Sequence, residues 1–202
     1  MAFEEIIKDK QAFVLGFDDV IYPQKDYLLQ VYYLFSEFMA HSEQVDAKEI
    51  LAFMKVAYEK EGAINLFDKT AKAFNLPEKY RTNFALLHQN ARLPLKLLLY
   101  KQLLALLQEI VVERKTIFLL VDGDPAEQLN KIKQVEWNGL EQYLKLYFTA
   151  EFEAKPAIDS INYILSSHKL NTDEVLIVGS TNTDEKFAQN AGIKYFNVTK
   201  LI

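Results

Sequence analysis

Residues 12–23 constrain the fold more than any other stretch, because an apolar run there ends abruptly in two carboxylates. The run is Ala-Phe-Val-Leu-Gly-Phe, and it is followed by Asp18, Asp19 and then a Tyr-Pro turn. Apolar residues on both faces of a short segment are typical of a strand in the middle of a parallel sheet. Carboxylates at the carboxyl end of such a strand lie where open α/β sheets place their sites. We therefore predict an α/β sheet with a functional site just after this strand.

The rest of the chain divides into a helical part and an alternating part. Residues 25–93 read as nearly all helix, with breaks near 41–42, 61–62 and 75–77, which indicates a bundle inserted after the first strand. Strands are predicted beyond it at 116–121, 144–149, 174–179 and 194–198. Helices are predicted at 101–114, 126–135, from about 156 to 167, and 185–191, with Asp124 as N-cap of the second.

Four segments resemble the motifs of the haloacid dehalogenase-like hydrolases. The first motif of that superfamily is an apolar run followed by Asp-x-Asp-Asp-Thr-Leu-Tyr-Pro, and residues 18–23, Asp-Asp-Val-Ile-Tyr-Pro, match it from the second Asp onward. The resemblance makes Asp18 the general acid/base. The first Asp, which is the nucleophile of the superfamily, is replaced here by Gly16.

The second and third motifs supply phosphate-binding groups in the superfamily. The second usually reads Thr-Asn-Gly after a strand, and here it reads Val121-Asp122-Gly123, so the hydroxyl is lost and a carboxylate replaces the amide. The third is a lysine before a proline, which matches Lys155 and Pro156. An ordinary surface lysine before a helix is the alternative for Lys155, and its surroundings favour the motif.

The fourth motif in the superfamily is Gly-Asp followed three or four residues later by another Asp, and both acids serve Mg²⁺. Here residues 179–184 read Gly-Ser-Thr-Asn-Thr-Asp, so Ser180 takes the place of the direct ligand while Asp184 remains. The chain thus resembles the phosphatase-type branch with a helical cap. The resemblance implies an α/β fold, a doubly wound Rossmann-like parallel sheet, with core residues 1–21 and 96–202 and an inserted α-helical cap at 22–95.

Two functional hypotheses follow from these departures. The first is a catalytically impaired or non-catalytic binding or regulatory relative that keeps an anion pocket around Lys155. The second is a phosphatase-type hydrolase acting on a small phosphorylated metabolite, with water attacking directly and Asp18 as acid/base. We favour the first because three separate losses, at positions 16, 121 and 180, act together. Gly16 is either a tolerated strand glycine, the reading we favour, or a position that lets a ligand approach the backbone.

Composition sets the expectations for cofactors, partners and location. We expect no cofactor, with Mg²⁺ only if activity is retained, and a small anion or phosphorylated metabolite as ligand. The net charge of −5, with acids and bases mixed along the 202 residues, argues against nucleic acid. We also expect no membrane association, because charged and amide residues interrupt the apolar stretch at 93–112. The absence of cysteine and of an apolar signal-peptide core near the start predicts a cytoplasmic location.

Overall fold

A computed structural model describes residues 3–202 and shows strands alternating with helices after a helical insertion. The helices are α1 (Glu4–Ile7), α2 (Gln24–Glu43), α3 (Ala47–Glu61), α4 (Leu66–Phe74), α5 (Tyr80–Asn90), α6 (Lys101–Val112), α7 (Pro125–Gln134), α8 (Asp159–His168) and α9 (Asn182–Ala191). The strands are β1 (Ala12–Leu15), β2 (Leu97–Leu98), β3 (Thr116–Val121), β4 (Val135–Glu136), β5 (Leu144–Phe148), β6 (Val175–Gly179) and β7 (Lys194–Asn197).

The main sheet has five parallel strands in the order β5-β3-β1-β6-β7. The central strand β1 pairs with β3 on one side, where Ala12 lies opposite Thr116, and with β6 on the other, where it lies opposite Val175. The side chains of β1 alternate between two separate apolar clusters, one on each face of the sheet. Both faces are therefore covered, and the predicted doubly wound α/β fold is confirmed.

Helices α2 to α5 form the predicted helical insertion between β1 and the rest of the sheet. Their inner faces are buried: Tyr32 and Phe35 have no more than 1% of their surface exposed. These rings belong to the same apolar cluster as Leu15 and Leu119 of the sheet, so the insertion packs directly on the core. The boundaries predicted for core and cap stay a prediction, and residues 1–2 lie outside the described residues.

Most predicted elements are present, and the corrections fall at their ends. The helix predicted from 185 begins at Asn182, because the Thr181 side chain caps it by accepting a hydrogen bond from the Asp184 amide. The helix predicted from about 156 begins at Asp159. The short parallel pair β2 and β4 was not predicted from the sequence. Among the described helices, none combines the length and apolar composition needed to cross a bilayer.

Candidate functional site

A crevice of about 610 Å³ opens at the carboxyl ends of β1, β3 and β6, where the strand order reverses on either side of β1. Its walls come from the loop after β1, the loop and first turns of α7, and the loops after β5 and β6. Seven of the eight predicted site residues line it. The crevice is therefore the candidate site.

The loop after β1 is a tight turn that presents Asp18 to the crevice. The backbone N–H groups of Val20 and Ile21 donate to the Phe17 carbonyl at 3.2 and 2.9 Å. Asp19 adopts a left-handed conformation with φ of 55°, which Asp tolerates better than most residues. The turn ends where the Tyr22 hydroxyl donates to Asp18 Oδ1 at 2.5 Å.

Asp18 is held by three donors of the chain itself. Besides Tyr22, Gln128 Nε2 and Lys131 Nζ both donate to Asp18 Oδ2, at 2.9 and 3.0 Å. Burial and the neighbouring Asp18 charge raise the pKa of Tyr22 far above its ordinary value, so its hydroxyl stays a donor. Asp18 Oδ2 thus accepts from two donors, whereas Oδ1 accepts from the Tyr22 hydroxyl alone.

Lys131 of α7 is a buried cation beneath the crevice. Only 1% of its side chain is exposed, and its ammonium also pairs with Glu127 at 2.8 Å. The ammonium lies 4.5 Å from the centre of the Tyr27 ring in α2, which adds a cation–π contact between core and insertion. Lys131 thus compensates two carboxylates and joins the two parts of the chain.

Lys155 and Asp184 form a second charge cluster across the crevice. Lys155 Nζ lies 2.8 Å from Asp122 and 3.1 Å from Asp184, and only 6% of its side chain is exposed. Asp184 Oδ2 also accepts from the Thr181 hydroxyl at 2.7 Å and from the backbone amides of Ser180 and Thr181 at 3.3 and 3.1 Å. Burial alone would raise the pKa of Asp184, but Lys155 and these hydrogen bonds outweigh it and lower that pKa.

Val121 is the one predicted site residue that is not on the crevice wall. Its carbonyl accepts a hydrogen bond from the Thr149 hydroxyl at 3.3 Å, and Thr149 itself lines the crevice. The site therefore has a threonine at the end of β5 rather than at the end of β3. Gly123 lies at the crevice with φ of 103°, a left-handed conformation that favours glycine.

Two glycines fix how closely the strand ends approach other groups. A Cβ added to Gly16 would lie 3.1 Å from Val20 Cγ2, so the side-chain space at the nucleophile position is partly filled. A Cβ added to Gly179 would lie 2.5 Å from the Asp184 Cβ, which no real structure tolerates. Glycine at 179 is therefore required for Asp184 to sit over the end of β6.

The Mg²⁺ ion of the superfamily does not fit the donor set at this crevice. Among the described residues, no group of three or more His, Asp and Glu side chains is arranged to hold a metal ion. Asp184 is already bound to Lys155 and to three N–H or O–H donors, and Ser180 offers a neutral oxygen. Mg²⁺ prefers an octahedral set of hard oxygens, usually with carboxylates free to bind it.

Sequence reasoning missed the residues that α7 and the end of β5 contribute. Glu127 and Gln128 each lie about one turn before Lys131 in α7, and all three line the crevice together with Thr149. That spacing was the available signal. It was hidden because polar residues on a helix are normally assigned to the solvent side.

Comparisons with known proteins agree with this geometry. A family model described as haloacid dehalogenase-like hydrolase matches residues 14–198. A Thermotoga maritima protein assigned as a β-phosphoglucomutase has a similar structure, with a TM-score of 0.65 and 15% identity over 93% of this chain and 84% of that one. A hydrolase from Streptococcus pneumoniae gives a TM-score of 0.55 at 15% identity, covering 93% and 92% of the two chains.

A haloacid dehalogenase-like hydrolase from Xanthomonas campestris gives a TM-score of 0.55 at 14% identity, covering 93% of this chain and 80% of that chain. No curated protein matches the sequence. At such identities the structural likeness shows the fold alone, whereas the family model spans most of the chain. The chain therefore belongs to the haloacid dehalogenase-like hydrolase family.

Proposed function

We propose that this protein is a non-catalytic member of its family that binds a small ligand in the crevice, as a binding or regulatory module. The family mechanism begins with a carboxylate that attacks phosphorus or carbon. At the corresponding position, Gly16 has no side chain, and its amide donates to the Val178 carbonyl at 3.0 Å as part of the sheet. The pairing of β1 with β6 fixes this backbone position at the carboxyl end of β1.

The observation that carries the proposal is the occupation of the two remaining motif carboxylates by the chain itself. Asp18 accepts hydrogen bonds from Tyr22, Gln128 and Lys131, while Asp184 is bound to Lys155. Such pairs are costly to break, since removing one partner leaves the other charge uncompensated. The arrangement supports a rigid binding site rather than a site that must exchange protons and metal ions.

The alternative is a phosphatase-type hydrolase in which water attacks directly and Asp18 is the acid/base. A general base needs a free oxygen within hydrogen-bond reach of the water. Asp18 Oδ1 accepts from Tyr22, and Asp18 Oδ2 accepts from both Gln128 and Lys131. An attacking water would therefore have to use the one remaining acceptor position, on Oδ1, beside the Tyr22 hydroxyl. This crowding counts against the alternative, which an activity assay can detect.

The test is turnover of p-nitrophenyl phosphate and acetyl phosphate with and without millimolar Mg²⁺. We expect the wild type to match a heat-treated control, and we expect Mg²⁺ to add no thermal stability, because a ligand stabilises only above its dissociation constant. Gly16→Asp alone should stay inactive for two reasons. The Cβ of the new side chain would lie 3.1 Å from Val20 Cγ2, and no metal ion would offset the charge of the added carboxylate. Magnesium-dependent wild-type turnover that Asp18→Asn abolishes would overturn the proposal.

A rescue series makes the same test in the opposite direction. Gly16→Asp combined with Ser180→Asp restores two carboxylates, and Val121→Thr adds the hydroxyl of the second motif. We expect modest activity only in these combinations, because groups that act as a unit do not contribute additively. In this proposal helices α2 to α5 are the cap that covers the ligand, and the cytoplasmic location stays a prediction from the sequence.

A further inference from the structure

We propose that His88 makes the contact between the helical insertion and α7 sensitive to acid, so that protonation of its ring loosens α5 from the wall of the crevice. This inference goes beyond the proposed function, because it concerns the control of the crevice and not the identity of a ligand. It holds equally for a binding module and for a hydrolase. Three features of the described residues support it.

The first feature is the attachment of α5 to the core. Asn130 Nδ2 and Gln134 Nε2 of α7 each donate to the Ala91 carbonyl at 3.0 Å. Gln134 Oε1 also accepts from the Leu93 amide at 2.6 Å. His88 lies in the last turn of α5, directly before these hydrogen bonds. A change of charge at His88 therefore acts where the insertion is fastened to the core.

The second feature is the packing of the His88 ring. Only 17% of its side chain is exposed. The ring contacts Phe84 and Tyr27 edge to face, with ring centres 4.9 and 5.8 Å from its own. A neutral imidazole suits these surroundings, whereas an imidazolium held there loses much of the water that stabilises its charge.

The third feature is the set of titratable groups that face the ring in the described part of the chain. Glu127 Oε1 of α7 lies 4.0 Å from His88 Nδ1, which is beyond hydrogen-bond distance. That oxygen is already paired with Lys131 at 2.8 Å, so the nearest carboxylate is shared with a competing cation. From α2, the Tyr27 hydroxyl donates to the His88 carbonyl, and burial raises the pKa of Tyr27 so that it stays neutral.

The direction of the pH effect follows from these surroundings. Burial lowers the pKa of His88 below its ordinary value of 6.5, Glu127 opposes this shift, and Lys131 adds to it. A ring released into water binds a proton more tightly than the packed ring, so acid favours the loosened state. The packed contact is at full strength above pH 6.5 and weakens as the pH falls through the lowered pKa of His88.

Tyr27 and Lys131 connect this contact to the crevice. The Tyr27 hydroxyl bonds to the His88 carbonyl at 2.5 Å, and the Tyr27 ring centre lies 4.5 Å from Lys131 Nζ. Lys131 in turn pairs with Asp18 and Glu127 on the crevice wall. Loosening α5 removes the hydrogen-bond partner of Tyr27, and with it part of the support of the buried ammonium.

The competing response is an ion pair between a protonated His88 and Glu127, which would tighten α5 against α7 in acid. Such a pair would have to draw Glu127 away from Lys131. The Lys131 side chain is only 1% exposed, so losing this carboxylate would leave a buried charge less well compensated. We therefore expect loosening, and the two responses differ in the sign of the pH effect.

The experiment uses an introduced thiol, because the chain has no cysteine of its own. Ala91→Cys places it at the contact between α5 and α7, where Ala91 is 7% exposed. The rate of labelling by 4,4′-dithiodipyridine is measured in the full chain at pH 7.5 and 5.5, with His88 and with His88→Gln. Comparing the two proteins at one pH cancels the ionisation of the thiol. His41→Gln is the matched control, since His41 is an exposed histidine in the last turn of α2.

We expect the labelling rate with His88, divided by the rate with His88→Gln, to rise by at least about threefold from pH 7.5 to pH 5.5. The same ratio for His41→Gln should not change. A His88 ratio that is independent of pH would overturn the inference, and a ratio that falls in acid would overturn it in favour of the ion pair with Glu127.

A second measurement needs no cysteine. The ring protons of His88 are followed by NMR in the wild type and are assigned by their absence in His88→Gln. We expect the midpoint of the His88 titration to lie below that of the exposed His41. A His88 midpoint equal to or above that of His41 would overturn the inference even where the cysteine variants fail to fold.

Discussion

Replacing Lys131 with methionine tests whether the chain stabilises its own site carboxylates. Methionine keeps most of the unbranched stem and removes the ammonium, which is 3.0 Å from Asp18 and 2.8 Å from Glu127. Removing one partner of a buried ion pair typically costs about 3–5 kcal/mol. The side chains of Asp18 and Glu127 are 19% and 26% exposed, so water compensates part of the lost attraction. We therefore expect a reduction of about 2–3 kcal/mol in the free energy of unfolding.

The assay is urea unfolding at neutral pH, followed by far-UV circular dichroism and by fluorescence of Trp137, the single tryptophan of the chain. The expected loss corresponds to a fall in melting temperature of about 5–10 °C for a chain of this size. An unchanged dependence on urea would show that the variant unfolds from a native state of similar compactness.

Lys133→Met is the matched control, because Lys133 is an exposed lysine two residues further along the same helix. It should change the stability by less than about 0.5 kcal/mol. Adding Asp18→Asn to Lys131→Met removes a stranded charge and should recover about 1 kcal/mol. Equal losses for the two lysine variants, or no recovery in the double variant, would refute the assigned role of Lys131.

The other predictions concern the ends of β1 and β6. Gly179→Ala should reduce the free energy of unfolding by about 2–3 kcal/mol, because its Cβ would lie 2.5 Å from the Cβ of Asp184. Gly16→Ala should reduce it by less than about 1 kcal/mol in the same assay, because its Cβ would lie 3.1 Å from a methyl group of Val20. The stability lost in Asp184→Asn should depend on pH. Burial raises the pKa of Asp184, but Lys155 and the hydrogen bonds lower it by more, so the pKa in the folded state lies below the ordinary value of 3.8. The stability that Asp184 contributes is therefore fully present above pH 3.8 and is lost as the pH falls through the lowered pKa. A difference in unfolding free energy between wild type and Asp184→Asn that stays constant as the pH falls below 3.8 would contradict the ion pair assigned to Asp184 and Lys155.

The sheet could be predicted from the sequence because its signal is local. Each of β1, β3 and β6 is a continuous apolar run, and such runs read as strands covered on both faces. The order of the motifs along the chain then placed Asp18, Lys155 and Asp184 at one edge, and the crevice brings these three together. Breaks in the helical insertion were also visible in the sequence: α3 ends at Gly62, which has a positive φ, and α4 ends at Asn75, which takes the left-handed conformation.

The helix at α7 was predicted, but its buried face could not be, because its burial pattern is inverted. Gln128 and Lys131 are its buried residues, while Leu129 is 39% exposed. Hydrophobic periodicity assigns the apolar side of a helix to the core, and here the core contains charges that need partners. The start of α9 was misplaced for a related reason: the cap depends on a reciprocal contact between Thr181 and Asp184, which is set by the close approach at Gly179.

The way in which the crevice balances its charges bears on the proposal that this chain keeps the family fold without the family chemistry. Carboxylates that converge at the end of a parallel sheet need compensation, and a bound metal ion supplies it only when the ion is present in sufficient concentration. Lys131 and Lys155 are part of the chain, so their compensation is independent of any bound ion. The same ammonium groups occupy the carboxylate oxygens that a metal or a proton transfer would require. Stability of the site and catalysis by the family mechanism therefore make opposing demands on Asp18 and Asp184, and the proposed non-catalytic function corresponds to the first.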